Sequence, residues 1–143
     1  MSVEIKIIKP PQDYSSCLKI RAEVFIQEQN VSQEEEIDGK DDSAVHFLAL
    51  LDGEELGTAR VRIESNYYKI ERVAVLKKAR GKRVGFALME AIESFRKQEY
   101  PQYDAYLSSQ KEAIPFYEKL GYMTQGDFYL DANIEHKTMI KKG

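Results

Sequence analysis

Between Val73 and Glu90 the sequence VAVLKKARGKRVGFALME joins a short apolar strand, a basic loop with glycines, and an amphipathic helix. Such a loop sets cations and backbone N–H groups at a helix N-terminus, where the helix dipole favours an anion. Lys77, Lys78, Arg80, Lys82 and Arg83 supply charge, while Gly81 and Gly85 let the backbone approach a ligand without a Cβ in the way. A phosphate-bearing ligand is the first reading; a solvated basic turn is the plain alternative. The spacing is neither GxxxxGK[ST] nor GxGxxG, so neither a Walker loop nor a dinucleotide fingerprint is present. Two histidines and the single Cys17 are too few for a transition-metal site, and no intrachain disulfide can form. Cys17 reads as a small core residue.

The elements that must position this loop follow from pattern. The 143 residues suit one domain, with 43% hydrophobic and 31% charged residues and a net charge of −3. That balance argues against a general nucleic-acid binder, and the basic loop carries no interleaved aromatics. No run approaches membrane-spanning length, and the N-terminus lacks the apolar stretch of a signal peptide, so a cytoplasmic location is expected. Val3 to Ile8 alternates as a strand that Pro10-Pro11 stops. Asp13 is placed to cap a helix with Tyr14, Cys17, Leu18, Val24 and Phe25 on its apolar side. The acidic stretch from Gln27 to Ala44 reads as too polar for core, with Val31 and Ile37 as anchors.

His46 to Leu51, Leu56 to Ile63 and Tyr68 to Leu76 predict a three-strand antiparallel meander, turned at Asp52-Gly53 and Ser65-Asn66. Residues 82–98 keep Val84, Leu88, Ile92 and Phe95 in helical register. Tyr103 to Leu107 predicts a strand, Lys111 to Leu120 a helix ended by Gly121, and Tyr122 to Leu130 with Ile134 to Lys141 a closing hairpin. The fold class is α/β (α+β): a mixed, mostly antiparallel central sheet flanked by helices.

Arg80-Gly81-Lys82-Arg83-Val84-Gly85, following Val73-Ala74-Val75, resembles the acyl-CoA pyrophosphate loop of the GNAT (GCN5-related) N-acetyltransferases, Arg/Gln-x-x-Gly-x-Gly/Ala. Arg83 stands where that pattern has glycine. Ala113 to Tyr122 resembles the family's A-x-x-F-Y-x-x-x-G-[FY] segment. Arg21 to Gln29, Glu36-Ile37-Asp38 and Ala44-Val45-His46 are similar to a small bacterial-type branch marked by R-x-x-V-F-x-x-E-Q and D-x-x-A-x-H. Three motifs in the right order, over about residues 3 to 141, identify the chain as a member of the family, with a single GNAT domain expected over residues 1–143.

The resemblance implies an acetyl-CoA-dependent transfer of an acetyl group to an amine by direct attack. Tyr117 takes the general-acid role toward the CoA thiolate. Val73, Ala74, Val75 and Ser108 meet the pantetheine arm. Arg80, Gly81, Lys82, Arg83, Val84 and Gly85, with Phe116, hold the rest of the cofactor. On the acceptor side stand Arg21, Glu28 and His46. The base stays open: Glu71 leads, because strand alternation places it on one face with Val73, with Glu28, His46 or solvent as rivals. The acidic run at Glu34–Glu36, Asp38, Asp41 and Asp42 is either a solubilising loop or a border that attracts a cationic amine. His136, in the last hairpin, carries a possible acceptor-side role. Expected partners are acetyl-CoA and an amine, with no nucleic acid, no membrane and a monomeric or homodimeric state. A non-catalytic acyl-CoA sensor is the alternative function.

Overall fold

The computed structural model describes residues 2–143; Met1, counted in the expected domain, lies outside the described residues. Seven strands form one sheet: β1 (Val3–Ile8), β2 (Val45–Leu51), β3 (Glu54–Glu64), β4 (Tyr67–Val75), β5 (Asp104–Gln110), β6 (Met123–Asp131) and β7 (Ile134–Lys141). Their order is β1-β2-β3-β4-β5-β7-β6, with every pairing antiparallel except β4 with β5. The expected three-strand meander is thus extended by β1, which pairs with β2.

The turns obey local chemistry. Asp52 and Gly53 both adopt positive φ, the pairing a two-residue hairpin needs, and Ala132 and Asn133 do the same between β6 and β7. A helical run from Ser15 to Glu28 is α-helical to Arg21 (α1, Ser15–Arg21) and π-helical over Ala22–Glu28. Tyr14 rather than the expected Asp13 occupies the N-cap of α1, with no side-chain cap; Asp13, one residue earlier, accepts from the Ser15 N–H at 2.9 Å in a local turn. The short α2 (Gln33–Glu36) is capped by Ser32, which accepts from Glu35 N–H. Helix α3 (Val84–Glu99) buries Val84, Leu88, Ile92 and Phe95 at helical spacing. Helix α4 (Ile114–Lys119) carries Pro115 in its first turn, where the missing N–H costs nothing.

Alternation along β2 and β3 sends neighbouring residues to opposite faces. His46 and Arg60 meet the α1 side, through the Tyr14–His46 stack and the Arg21–Asp41–Arg60 contacts. Phe47 meets α3 edge-on at Phe95. Gly57 lies under the start of α3: a Cβ there would fall 2.9 Å from Val84 and 3.2 Å from the Ala74 carbonyl oxygen. Only a missing side chain lets the helix come this close to the sheet.

The acidic segment is not the solvated loop that its composition suggests. Glu36 and Asp41 are buried, while Ile37, expected as an anchor, is 47% exposed. Three arginines, Arg21, Arg60 and Arg72, account for the inversion. Arg21 pairs with Glu36 and Asp41 at 2.9 and 2.7 Å. Arg60, buried on β3, pairs with Asp38, Asp41 and Glu71 at 2.8, 2.9 and 2.7 Å. Arg62 also holds Glu71, and Arg72 holds Glu36. Buried charges persist only when paired and hydrogen-bonded on most of their donors, and these are.

The network has a pH signature. The hydrogen bonds from Arg60 hold the Asp38 carboxyl well below its usual range. A depressed carboxylate contributes stability that is full above its unfolded value and lost as pH falls toward the folded value. Arg60→Met should therefore cost about 3–5 kcal/mol at neutral pH, since it leaves the surrounding carboxylates uncompensated. Urea denaturation should also find that its stability falls less steeply than wild type from about pH 5 down to pH 3.

Candidate active site

Strands β4 and β5 run together only from Tyr67–Asp104 to Ile70–Leu107. Beyond that pair they part. One cause is visible on β4: Thr58 pairs with Ala74 and Arg60 with Glu71, so β4 holds one residue more than β3 across that step. Arg72, at φ +56°, sits in this bulge. A β-bulge bends its strand and re-aims its side chains. Between the parted strands lies a cleft of about 660 Å³, lined by Val73, Ala74, Val75 and Arg80 on one flank and Ser108, Gln110 and Tyr117 on another.

Of the basic loop, Arg80 lines the cleft, and residues 81–83 lead from it to the N-terminus of α3. The helix has no side-chain cap and no acidic residue in its first turn, so its N-terminal charge is not offset locally. Gly81 takes φ +83° with open space at its Cβ position, and a Cβ at Gly85 would meet the Phe116 ring at 3.5 Å, an ordinary contact. Arg83 takes φ +64°, a left-handed conformation that a glycine adopts without strain. This is the physical reason for glycine at that point of the family pattern. Here the guanidinium stacks over Phe86, 4.4 Å from the ring centroid.

The loop's charge is less available than its composition suggests. Lys78 is paired with Glu54. Arg80 is held bidentately by Glu28 at 2.6 and 2.7 Å and donates to the Val75 carbonyl at 3.1 Å. The Arg80 hydrogen bond also lowers the Glu28 carboxyl. Glu28, expected as an acceptor-side residue or rival base, instead joins the π-helical segment to the basic loop.

Tyr117 lines the cleft from α4, edge-on to Phe116 and Tyr122. Burial pushes its phenol up, so it stays protonated at neutral pH and can donate. Its hydroxyl has no hydrogen-bond partner among the described residues. Ser108, at the open end of β5, bonds the Tyr129 hydroxyl of β6 over the intervening β7.

The other acceptor-side expectations are corrected. Arg21 is fully buried beneath the acidic segment, spent on Glu36 and Asp41. His46 is fully buried too; its Nε2 donates to the Asp41 carbonyl at 2.9 Å and its ring stacks on Tyr14. Desolvation pushes its imidazole toward the neutral form. Neither residue lines the cleft. Glu71 does, but the bulge at Arg72 interrupts the alternation that was to align it with Val73. Burial raises its proton affinity, yet hydrogen bonds from Arg62 and the charge of Arg60 outweigh that and hold it below the usual range. Both its oxygens accept from guanidinium groups, which weakens it as a base.

Comparison with known proteins places the chain in a family. The acetyltransferase (GNAT) domain model covers residues 11–142. The chain belongs to the GNAT acetyltransferase family. It is 37% identical over 137 residues to an uncharacterised N-acetyltransferase, YjcF, of Bacillus subtilis, spanning 94% of this chain and 96% of that protein. The fold superposes on an acyl-CoA N-acyltransferase from Pseudomonas aeruginosa with TM-score 0.87 and 27% identity, covering 98% of this chain and 99% of the other. A more distant match, TM-score 0.71 at 17% identity over both full chains, is the PaiA N-acetyltransferase of Thermoplasma acidophilum in complex with coenzyme A. The family and these neighbours support acyl transfer from an acyl-CoA. Among the described residues no cluster fit to hold a metal and no helix long and apolar enough to cross a membrane is present.

Sequence reasoning missed Arg60, Arg62, Arg72 and Tyr129. A signal for the arginines exists: Arg60 and Arg62 sit two apart in a strand whose neighbours are apolar, opposite an acidic segment that needs partners. Tyr129 has no such signal. A bulge between Gln125 and Tyr129, with Gly126 at φ +78°, sets its place on the sheet.

The strained loop position is testable. Arg83→Gly relieves the left-handed residue, whereas Arg83→Ala keeps a Cβ there and loses the stack on Phe86. Thermal denaturation should find the glycine variant more stable than the alanine variant by about 1 kcal/mol.

Proposed function

We propose that the protein is an acetyl-CoA-dependent N-acetyltransferase, formed by residues 1–143 as one domain, that transfers acetyl to an amine by direct attack. The observation that carries this reading is the joint placement of three features on one cleft. They are the β4 edge without a strand partner, the uncapped N-terminus of α3, and a protonated tyrosine without a protein partner.

In this reading the pantetheine arm lies along Val73 to Val75, filling the place that β5 leaves. The Val75 carbonyl is already engaged by Arg80, which leaves the remaining main-chain groups of the segment for the arm. The diphosphate sits over Gly81, Lys82, Arg83, Val84 and Gly85, where free N–H groups and charge converge. Phe116 walls the loop from beneath, and Ser108 faces the arm from β5. The amine nitrogen attacks the thioester carbonyl carbon; the C–N bond forms and the C–S bond breaks. Tyr117 gives its proton to the departing thiolate, and the new ammonium loses one on the acceptor side. Glu71 serves as a fixed negative charge on the cleft wall, held there by Arg60 and Arg62, in place of the base role expected of it.

An amine acceptor is supported by the balance of charge along the cleft. Each arginine and lysine that lines it is engaged by a carboxylate: Lys69 by Glu64, Arg72 by Glu36 and Asp38, Arg80 by Glu28.

Acetyl-CoA should raise the melting temperature of wild type and of Tyr117→Phe alike, as a ligand of the native state must. Thiol release with an amine panel should then show kcat about 10²-fold lower in the variant. A melting shift without thiol release in the wild type would favour the sensor reading; unchanged turnover in Tyr117→Phe would refute the acid role.

A further inference from the structure

With Glu71 tied to two arginines, Glu28 to Arg80 and His46 buried away from the cleft, the proton leaving the amine has no acceptor among the expected bases. We propose that His136 is the catalytic base, its Nε2 taking the proton from the acceptor nitrogen as that nitrogen attacks the thioester. The inference rests on the acyltransfer reading and adds the residue that completes its proton path.

His136 lies on β7, paired with Gln110 of β5 on one side and Tyr129 of β6 on the other. It lines the cleft along with Ile134 and Thr138, which alternate onto the same face of β7. The residue is only 8% exposed. Its Nδ1 lies 2.7 Å from the Ile134 carbonyl oxygen. A carbonyl oxygen accepts and cannot donate, so Nδ1 carries the hydrogen, and in the neutral ring Nε2 keeps its lone pair. Hydrogen bonding at one ring nitrogen sets the chemistry of the other.

Nε2 has no hydrogen-bond partner among the described residues. The contrast with His46 is instructive. That ring donates from Nε2 and turns its unpartnered Nδ1 into the protein interior, whereas His136 belongs to the cleft wall.

The ring is also held in orientation. Tyr129 lies nearly parallel to it, centroids 6.2 Å apart and planes 22° apart, and the Tyr129 hydroxyl is itself fixed by Ser108. A base contributes most when its geometry is set before the reaction. The proton balance closes: the amine loses one proton to Nε2, Tyr117 gives one to the thiolate, and both return through solvent after the products leave.

Two variants test the assignment with acetyl-CoA and whichever amine of the panel the wild type accepts. His136→Asn keeps a donor at the Nδ1 position for the Ile134 carbonyl and removes only the Nε2 function. His136→Ala opens space for added imidazole. Both should retain the acetyl-CoA melting shift and lose about 10²-fold in kcat with little change in the acetyl-CoA KM. Imidazole should restore His136→Ala at least several-fold. A kcat within threefold of wild type in His136→Asn, or an acceptor KM rise with kcat intact, overturns the base role; so does a loss in His136→Ala that imidazole leaves unchanged. A wild type that binds acetyl-CoA and acetylates no amine overturns the transferase reading and this inference with it.

Discussion

One guanidinium joins the separate parts of the cleft. Arg60, buried on β3, binds Asp38 and Asp41 of the acidic segment and Glu71 of β4. It thereby fixes the position of the acidic segment against the sheet just where β4 leaves β5. Arg21 and Arg72 extend the same bonding to Glu36 and the bulge. Ion pairs of this kind add little net stability over apolar packing of equal volume, but removing one partner strands the rest in a desolvated place. Their effect is to specify one arrangement of chain segments that apolar contacts alone would leave loose.

The two poles of the cleft are built by different means. At the cofactor pole the backbone dominates: a bulge, an edge of β4 without a strand partner, and an uncapped helix N-terminus. Side chains dominate the other pole, where β5, β6 and β7 contribute Ser108, Tyr129 and His136. The Glu28–Arg80 pair links the helical run of residues 15–28 to the cofactor loop. Movement of that run is therefore coupled to the loop through a single exposed, bidentate contact, which is weaker than the buried network beside it.

The sequence made the fold legible wherever pattern reports local physics. Asp52-Gly53, the register of Val84, Leu88, Ile92 and Phe95, and the antiparallel meander of β2 to β4 each follow from chain geometry, and each is found. The strand–loop–helix junction after β4 was legible for the same reason, and Arg83 marked the one departure whose cost the positive φ now explains. Long-range pairing was not legible. Composition makes Glu36 and Asp41 look like surface, because the arginines that bury them lie on other elements. The Arg72 bulge hides in an unremarkable apolar strand, and it undid the alternation argument for Glu71. Arg21, Glu28 and His46 fit the motif yet serve the frame, since a motif fixes residue type and order without fixing which way a side chain turns.

The central claim is that the parted edges of β4 and β5, with the start of α3, hold the acyl-CoA. Amide hydrogen exchange with and without acetyl-CoA tests it most directly, since exchange reads protection residue by residue. The account predicts new protection confined to residues 73–75, 81–86 and the open end of β5 near Ser108. Protection elsewhere on the sheet with these amides unchanged would contradict it.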